Sequence, residues 1–333
     1  MIVVSDDLTG ASLMASMCRG GRYIVYPLEN VDESHLRESF ISVDLGTRAL
    51  EAAEVEEKLD IFERLLGDSP WTYRMDSSGR DNLTAYLRRL VKKSRIMITS
   101  TIPELGRFTL NGVSVSEDGN IDLRERVFHQ ACRFLRERVK IVDSRTWEDI
   151  DRISQLCREL SCIPVDPGPL ISRYLGKSGT ELPISADVER VCLVIGTYRP
   201  KTVKQIIALR SSISDGFLRI GGHSVKVDIT FEPLERMKSK IDRDFVDRLA
   251  NYDLIVISGG LTAETVLEKS GYHHILSRPA DVIMTGAGTV VGGRLDGKEV
   301  ILKGGMVGGE GIYVDLIMGA VCGSHAVRRL SDP

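Results

Sequence analysis

Asp6 and Asp7 follow a short apolar run, with Thr9, Gly10 and Ala11 close behind them. Paired carboxylates of this kind can orient a hydroxyl or accept its proton. Small residues after them would let a ligand come close to a helix start. The bland alternative is that Asp7 or Thr9 merely caps a helix over 10–19. Asp76, Ser77, Ser78, Arg80, Asp81 and Asn82 crowd carboxylates, hydroxyls, a guanidinium and an amide together, more than one helix cap requires. Arg48 ends the stretch Asp44-Leu45-Gly46-Thr47-Arg48, and Arg107 lies in a turn-rich stretch over 99–112. Their planar forks suit carboxylates, with a surface ion pair as the commoner fate of an isolated arginine.

The elements before these positions give them meaning. Strands are expected at 2–5, 22–26, 40–44, 72–75, 95–99, 139–142 and 162–165, alternating with helices at 49–66, 82–92, 123–137 and 146–160. That alternation predicts a mostly parallel sheet with helices on both faces. In open α/β sheets, ligands gather beyond the carboxyl ends of the strands. Each polar cluster named above follows such a strand.

Across 166–190 the pattern weakens into Pro, Gly and Ser with mixed charge, which reads as a linker. Alternation then resumes, with strands at 191–195, 254–257 and 299–302 and helices at 202–210, 235–249 and 263–269. The expected fold class is α/β with two lobes, each a mostly parallel sheet flanked by helices, joined by a hinge. The division is 1–166, a linker over 167–190, and 191–333.

Three strands of the second lobe run into glycine turns: Gly196 with Thr197 and Arg199, Ser258-Gly259-Gly260 with Thr262, and Lys303-Gly304-Gly305. Glycine lets a backbone approach phosphate, and amides at a helix start complement its charge. None is a Walker A sequence or a dinucleotide fingerprint. Three such turns in one lobe suggest that a nucleotide's phosphate chain lies across that edge.

The net charge of −3, with lysine and arginine scattered, leaves no nucleic-acid footprint. No apolar stretch is long enough for a bilayer span, and the start is too short and acidic for a signal peptide, so a cytoplasmic location without a membrane partner is expected. Six cysteines without a CxxC read as reduced thiols. His273-His274 reads as loop chemistry rather than a metal site, since adjacent side chains rarely point the same way.

Several motifs occur in a fixed order: Asp6-Asp7-x-Thr9-Gly10-Ala11, Thr47-Arg48, Asp76-Ser77-Ser78-x-Arg80-x-Asn82 and Pro103-x-x-Gly106-Arg107-x-Thr109-x-Asn111-Gly112. After them come Gly196-Thr197 with Pro200, Thr202 and Gln205, then Gly259-Gly260-x-Thr262 and Lys303-x-Gly305. In this order they resemble the four-carbon acid sugar kinases, two-domain enzymes that phosphorylate threonate, erythronate and 3-oxo-tetronate. The resemblance implies a sugar acid in the first lobe, met by Asp6, Asp7, Arg48, Asp76, Ser77, Ser78, Arg80, Asn82 and Arg107. It implies ATP in the second lobe, met by Thr197, Arg199, Ser258, Gly259, Gly260, Thr262, Gly304 and Gly305. Leu261 replaces an acidic residue common in the family, and Met306-Val307 interrupts its usual last glycine motif.

The expected chemistry is transfer of phosphate from ATP, with Mg2+ across its phosphates, to a terminal hydroxyl. Arg48 and Arg80 would grip the acid's carboxylate, while Asp7 or Asp76, with Asp6 beside them, orients or deprotonates the hydroxyl. Closure of the lobes would exclude water. Two rivals stand: a non-catalytic sugar-acid sensor, and another α/β enzyme acting on small hydroxy acids. Against the latter, no Gly-x-Gly-x-x-Gly follows the first strand, and no catalytic histidine or Schiff-base lysine stands out. A homodimer is compatible with this reading.

Overall fold

The run Ile2–Ser5 (β1) is buried along its whole length, as a central parallel strand must be. The computed structural model describes all residues except 19–22, 33, 36–40, 80–81, 118, 129–132, 177–187, 221, 280–283, 306 and 323–333. It divides into two units, Met1–Gly179 and Thr180–Pro333.

The first unit continues with α1 (Leu8–Met17), β2 (Tyr23–Pro27), β3 (Ile41–Asp44), α2 (Ala52–Leu66), β4 (Trp71–Arg74), α3 (Leu83–Lys93) and β5 (Ile96–Ile98). An excursion of three short strands follows: β6 (Phe108–Leu110), β7 (Val113–Val115) and β8 (Ile121–Asp122). Then come α4 (Leu123–Phe128), α5 (Arg133–Arg138), β9 (Val139–Ile141), α6 (Trp147–Glu159), β10 (Ile163–Val165) and α7 (Pro169–Leu175). Strands β2-β3-β1-β4 form one parallel block and β10-β5-β9 another. A single parallel bridge, Arg74 to Asp166, joins them. Helices cover the sheet with apolar stripes at helical spacing; α3 buries Leu83, Tyr86, Leu87, Leu90 and Val91.

The second unit runs β11 (Arg190–Ile195), α8 (Pro200–Ser212), β12 (Ile213–Ser214), β13 (Phe217–Ile220), β14 (His223–Phe231), α9 (Leu234–Lys240), α10 (Arg243–Leu249) and β15 (Leu254–Ser258). It ends with α11 (Gly260–Ser270), β16 (His274–Arg278), β17 (Thr285–Val291), β18 (Glu299–Lys303) and α12 (Ile312–Cys322). Its central strands β14-β11-β15-β18 are parallel, and antiparallel strands flank them on both sides. The core between this sheet and helices α8 and α12 includes Leu193, Ile206, Leu209, Ile301, Tyr313 and Ile317.

Two expectations change in detail. The linker expected from residue 167 begins instead with α7, which buries Leu170 and Ile171 in the first unit because Asp166 caps it. The helix expected over 235–249 is two helices, since Asp242 stops the first and caps the second by accepting from Phe245 N. The glycines at 286 and 288 lie inside β17, where a Cβ at Gly288 would stand 2.4 Å from the Leu276 carbonyl oxygen. Among the described residues, no helix is long and apolar enough to cross a membrane. Cys18, Cys157, Cys162 and Cys192 are buried free thiols.

Candidate functional site

Three loops leaving the carboxyl ends of β1, β3 and β4 meet in the first unit. Asp7 is the cap of α1: its carboxylate accepts from Gly10 N at 2.6 Å and from the Thr9 hydroxyl at 2.9 Å. Of the two residues that sequence offered as the cap, the fold uses Asp7. The loop after β3 is held down by Thr47 N and Arg48 N, which donate to the Asp6 carbonyl at 2.9 and 3.1 Å. Arg48 thereby enters the space beside both aspartates. Its Nε lies 3.3 Å from Asp6 Oδ2, its Nη1 bonds Asp7 Oδ2, and its Nη2 is 3.6 Å from Asp76 Oδ1. Asp76 begins a turn in which Ser78 donates to it through both its hydroxyl and its N–H.

The three carboxylates are not equivalent. The side chain of Asp76 keeps 12% of its surface exposed, against 2% for Asp6 and 1% for Asp7, so Asp76 is the one a ligand reaches first. Burial pushes the Asp6 carboxyl up to about 6, opposed by Arg48 and reinforced by the neighbouring Asp7 charge. Gly10 is required here, because a Cβ on it would stand 2.2 Å from Ser5 Oγ and 2.6 Å from Arg74 Nη1.

The other residues expected to bind substrate take different places. Asn82 donates its side-chain amide to the carbonyls of Thr47 and Leu50, both at 3.2 Å, and so fixes the loop that carries Arg48. Tyr86 steadies the same loop through the Thr47 hydroxyl and stacks on Tyr73 with ring centres 3.9 Å apart. Ser77 is half-buried in the Asp76 turn. Arg107 is buried in the β6–β8 excursion and donates to Ser114 Oγ at 3.1 Å. Arg80 lies outside the described residues.

Sequence reasoning passed over Arg74 and Asp166. Arg74 is buried at the end of β4, donates to the Pro167 carbonyl and contributes to the field at Asp6. Asp166 is fully buried; burial pushes its carboxyl up to about 7, although the N–H groups of Leu170 and Ile171 pull the other way. A charged residue closing an otherwise apolar strand was the available signal in both cases. Also unforeseen is a buried hydroxyl network of Thr99, Thr101, Thr109 and Ser144 at the ends of β5 and β9, with oxygen separations of 2.6–3.1 Å along its links.

In the second unit, the glycine turns after β11, β15 and β18 interlock. Thr262 fills the space a Cβ on Gly196 would need, at 2.2 Å, and crowds Gly259 at 3.2 Å. Thr197 does the same to Gly305, at 2.7 Å. The Thr202 hydroxyl donates to Gly305 O at 2.9 Å, and the Gln205 amide donates to Val307 O and Gly308 O. These glycines are therefore needed by their neighbours. Gly260 opens α11, a Cβ on the half-buried Gly304 would stand 3.2 Å from Val307, and Arg199 is exposed at the start of α8. Beneath the turn, Lys303 is fully buried and donates to Gly304 O at 3.0 Å. Burial, and then the charge of Lys201, push its amine down to about 7. The buried hydroxyls of Ser258 and Tyr313 face each other without meeting hydrogen-bond geometry.

Among the described residues, no group of three or more His, Cys, Asp or Glu is placed to hold a metal ion. The cation among the three aspartates is the Arg48 guanidinium, so these residues do not form a metal cage. His273 and His274 do turn toward each other, Nδ1 to Nδ1 at 2.9 Å, contrary to the expectation that adjacent rings diverge.

The geometry defines an α/β protein with a polar, carboxylate-rich site at the strand ends of its first unit. Residues 1–131 match the family described as the sugar-binding N-terminal domain. This match supports the resemblance that the motifs carry. Among solved structures, a Salmonella typhimurium LT2 protein, provisionally described as a tRNA synthase, is 14% identical. The alignment covers 94% of this chain and 97% of that one, with a TM-score of 0.68. A Haemophilus influenzae protein of family DUF1537 is 15% identical over 96% of this chain and 100% of that one, with a TM-score of 0.63. At these identities the likeness shows a shared fold. No curated protein matches the chain.

Proposed function

We propose that the protein is an ATP-dependent kinase acting on a terminal hydroxyl of a small, four-carbon sugar acid. The observation that carries this reading is the convergence of Asp6, Asp7, Arg48 and Asp76 within a sugar-binding domain. Carboxylates accept hydrogen bonds from sugar hydroxyls, and the partly exposed Arg48 would share its guanidinium between the aspartates and the acid's carboxylate. Asp7 is spent on capping and on Arg48, so it positions the cluster. Asp76, the most accessible of the three, is the group that orients or deprotonates the acceptor hydroxyl. The second unit's glycine turns bind ATP, which arrives as its magnesium complex. Transfer then asks for the hydroxyl in line with the γ-phosphate, with little covalent chemistry from the protein.

The test is ATP consumption, coupled to a spectrophotometric readout, across a panel of four-carbon acids with magnesium present. Turnover with at least one acid, abolished in Asp76→Asn, is expected. Binding of an acid without any ATP consumption would replace this reading with a non-catalytic sugar-acid sensor.

A further inference from the structure

Tyr198 keeps 60% of its surface exposed, the largest share of any large apolar side chain among the described residues. Its ring is nonetheless held in place. It lies parallel to Phe231, with centroids 4.7 Å apart and an interplanar angle of 4°. Phe231 ends β14 and pairs with Ile195 at the end of β11, so both rings stand at the carboxyl ends of adjacent parallel strands. The backbone on either side is constrained: Thr197 is wedged against Gly305, and Pro200 starts α8. One face of the Tyr198 ring is thus backed by an aromatic ring while much of its surface remains open to water. An exposed aromatic surface of this kind is an incomplete stack, and the missing partner is a flat, apolar ring.

The place of this ring along the edge matters. In the order β14-β11-β15-β18, the aromatic pair stands at one end and the Lys303–Gly305 turn at the other. Tyr198 itself leaves β11, two inter-strand steps from β18, roughly 10 Å at the usual spacing of about 4.8 Å, and its neighbour Thr197 packs on Gly305. At the far end, the buried Lys303 amine has Lys201 as its charged neighbour and no carboxylate among the described residues in an ion pair with it. One end of the edge is suited to a planar base, and the other ends in a glycine turn beneath which the buried Lys303 amine lies over the Tyr313 ring.

We propose that Tyr198, backed by Phe231, is the platform on which the nucleobase stacks, with the phosphates directed toward the glycine turns of β15 and β18. This rests on the reading that the second unit binds ATP and adds to it the subsite for the base. Stacking on a ring tolerates any base and contributes affinity that the phosphates do not share.

Calorimetric titration of the full-length protein with magnesium–ATP and with magnesium–tripolyphosphate separates the two ends. Tyr198→Ala is expected to weaken ATP by roughly five- to 150-fold, the affinity equivalent of one stacked base, and to leave tripolyphosphate unchanged. Tyr198→Phe, which keeps the ring, should bind ATP as the wild type does. Unchanged ATP affinity in Tyr198→Ala overturns the platform while leaving the ATP reading intact. An equal loss for both ligands also overturns it, since it would mark a structural effect on the turn. Failure of the wild-type protein to bind ATP at all overturns the nucleotide reading and the platform together.

Discussion

The side-chain amide of Asn82 donates to the Thr47 carbonyl at 3.2 Å, so a residue at the start of α3 fixes the loop that follows β3. A second donation, to Leu50 O, completes the clamp. Asn82→Ala should cost about 1–2 kcal/mol of stability, the net worth of two lost hydrogen bonds with their acceptors left behind. Because Arg48 rides on the same loop, the variant should also raise KM for the acid more than it lowers kcat. Denaturant unfolding and steady-state kinetics check both; an unchanged unfolding midpoint would remove Asn82 from this role.

Arg48 is the shared counter-charge of three aspartates, two of them almost wholly buried. Arg48→Met removes it and should destabilise the protein by about 3 kcal/mol at neutral pH, the lower end for breaking a buried ion pair. The loss should shrink as pH falls through about 6, where Asp6 takes up its proton and no longer needs the cation. Asp6→Asn in the same chain should restore part of the stability. Unfolding curves at pH 4 and pH 7.5 for the single and double variants decide the matter, and equal losses at both pH values would refute it.

Asp166 gives a pH dependence of definite sign. Its folded-state value is raised to about 7 from an ordinary carboxylate value of 3.8. A raised value means that the folded state binds the proton more tightly, so the stabilisation is fully present below pH 3.8 and lost as pH rises toward 7. Asp6, raised to about 6, adds a contribution of the same sign over a lower window. Asp166→Asn should therefore flatten the fall in melting temperature between pH 4.5 and 7.5. A variant whose melting temperature tracks the wild type across that range would place the pH dependence elsewhere.

Gly305→Ala would press a Cβ against Thr197, at 2.7 Å from its hydroxyl, and overpacking of this kind costs about 1–3 kcal/mol. Thr197→Ala removes the hydroxyl and methyl that block the space, so the double variant should recover much of that stability. If ATP affinity recovers with it, the glycine serves the threonine. If stability recovers and ATP affinity does not, the glycine also serves the nucleotide.

Much of this was legible from the sequence, and the reasons for the exceptions are physical. Alternating buried strands and amphipathic helices such as β1, β3, α2 and α3 announce themselves because burial on both faces, or on one stripe, leaves a periodic trace. The hairpin β13–β14 did not, since its exposed face mixes Lys226, Ser224 and Arg219 with single apolar residues and its pairing depends on a turn. The aspartates, Arg48 and the Asp76 turn could be picked out by residue type and their place after strands. That Arg48 is already engaged by Asp6, Asp7 and Asp76 could not, because the contact joins residues that only the fold brings together. Asn82 shows the same limit: its type suited a ligand, and its neighbours are two backbone carbonyls.

The single rung between β4 and β10 has a cause in Pro164. Ile163 N and Val165 O bond toward β5, which leaves residue 164 to face β4, and proline has no N–H to offer there. The Thr72 hydroxyl, donating to Pro164 O, and Met75 N, donating to Asp166 O, hold the seam in place of a full ladder. This seam is the weakest backbone line between the block that carries the aspartates and the block that carries the hydroxyl network, which share apolar core residues such as Ile98, Val165, Val4 and Tyr73. In native-state hydrogen exchange the two blocks should open with distinct free energies, and the boundary between the two exchange classes should run along this proline.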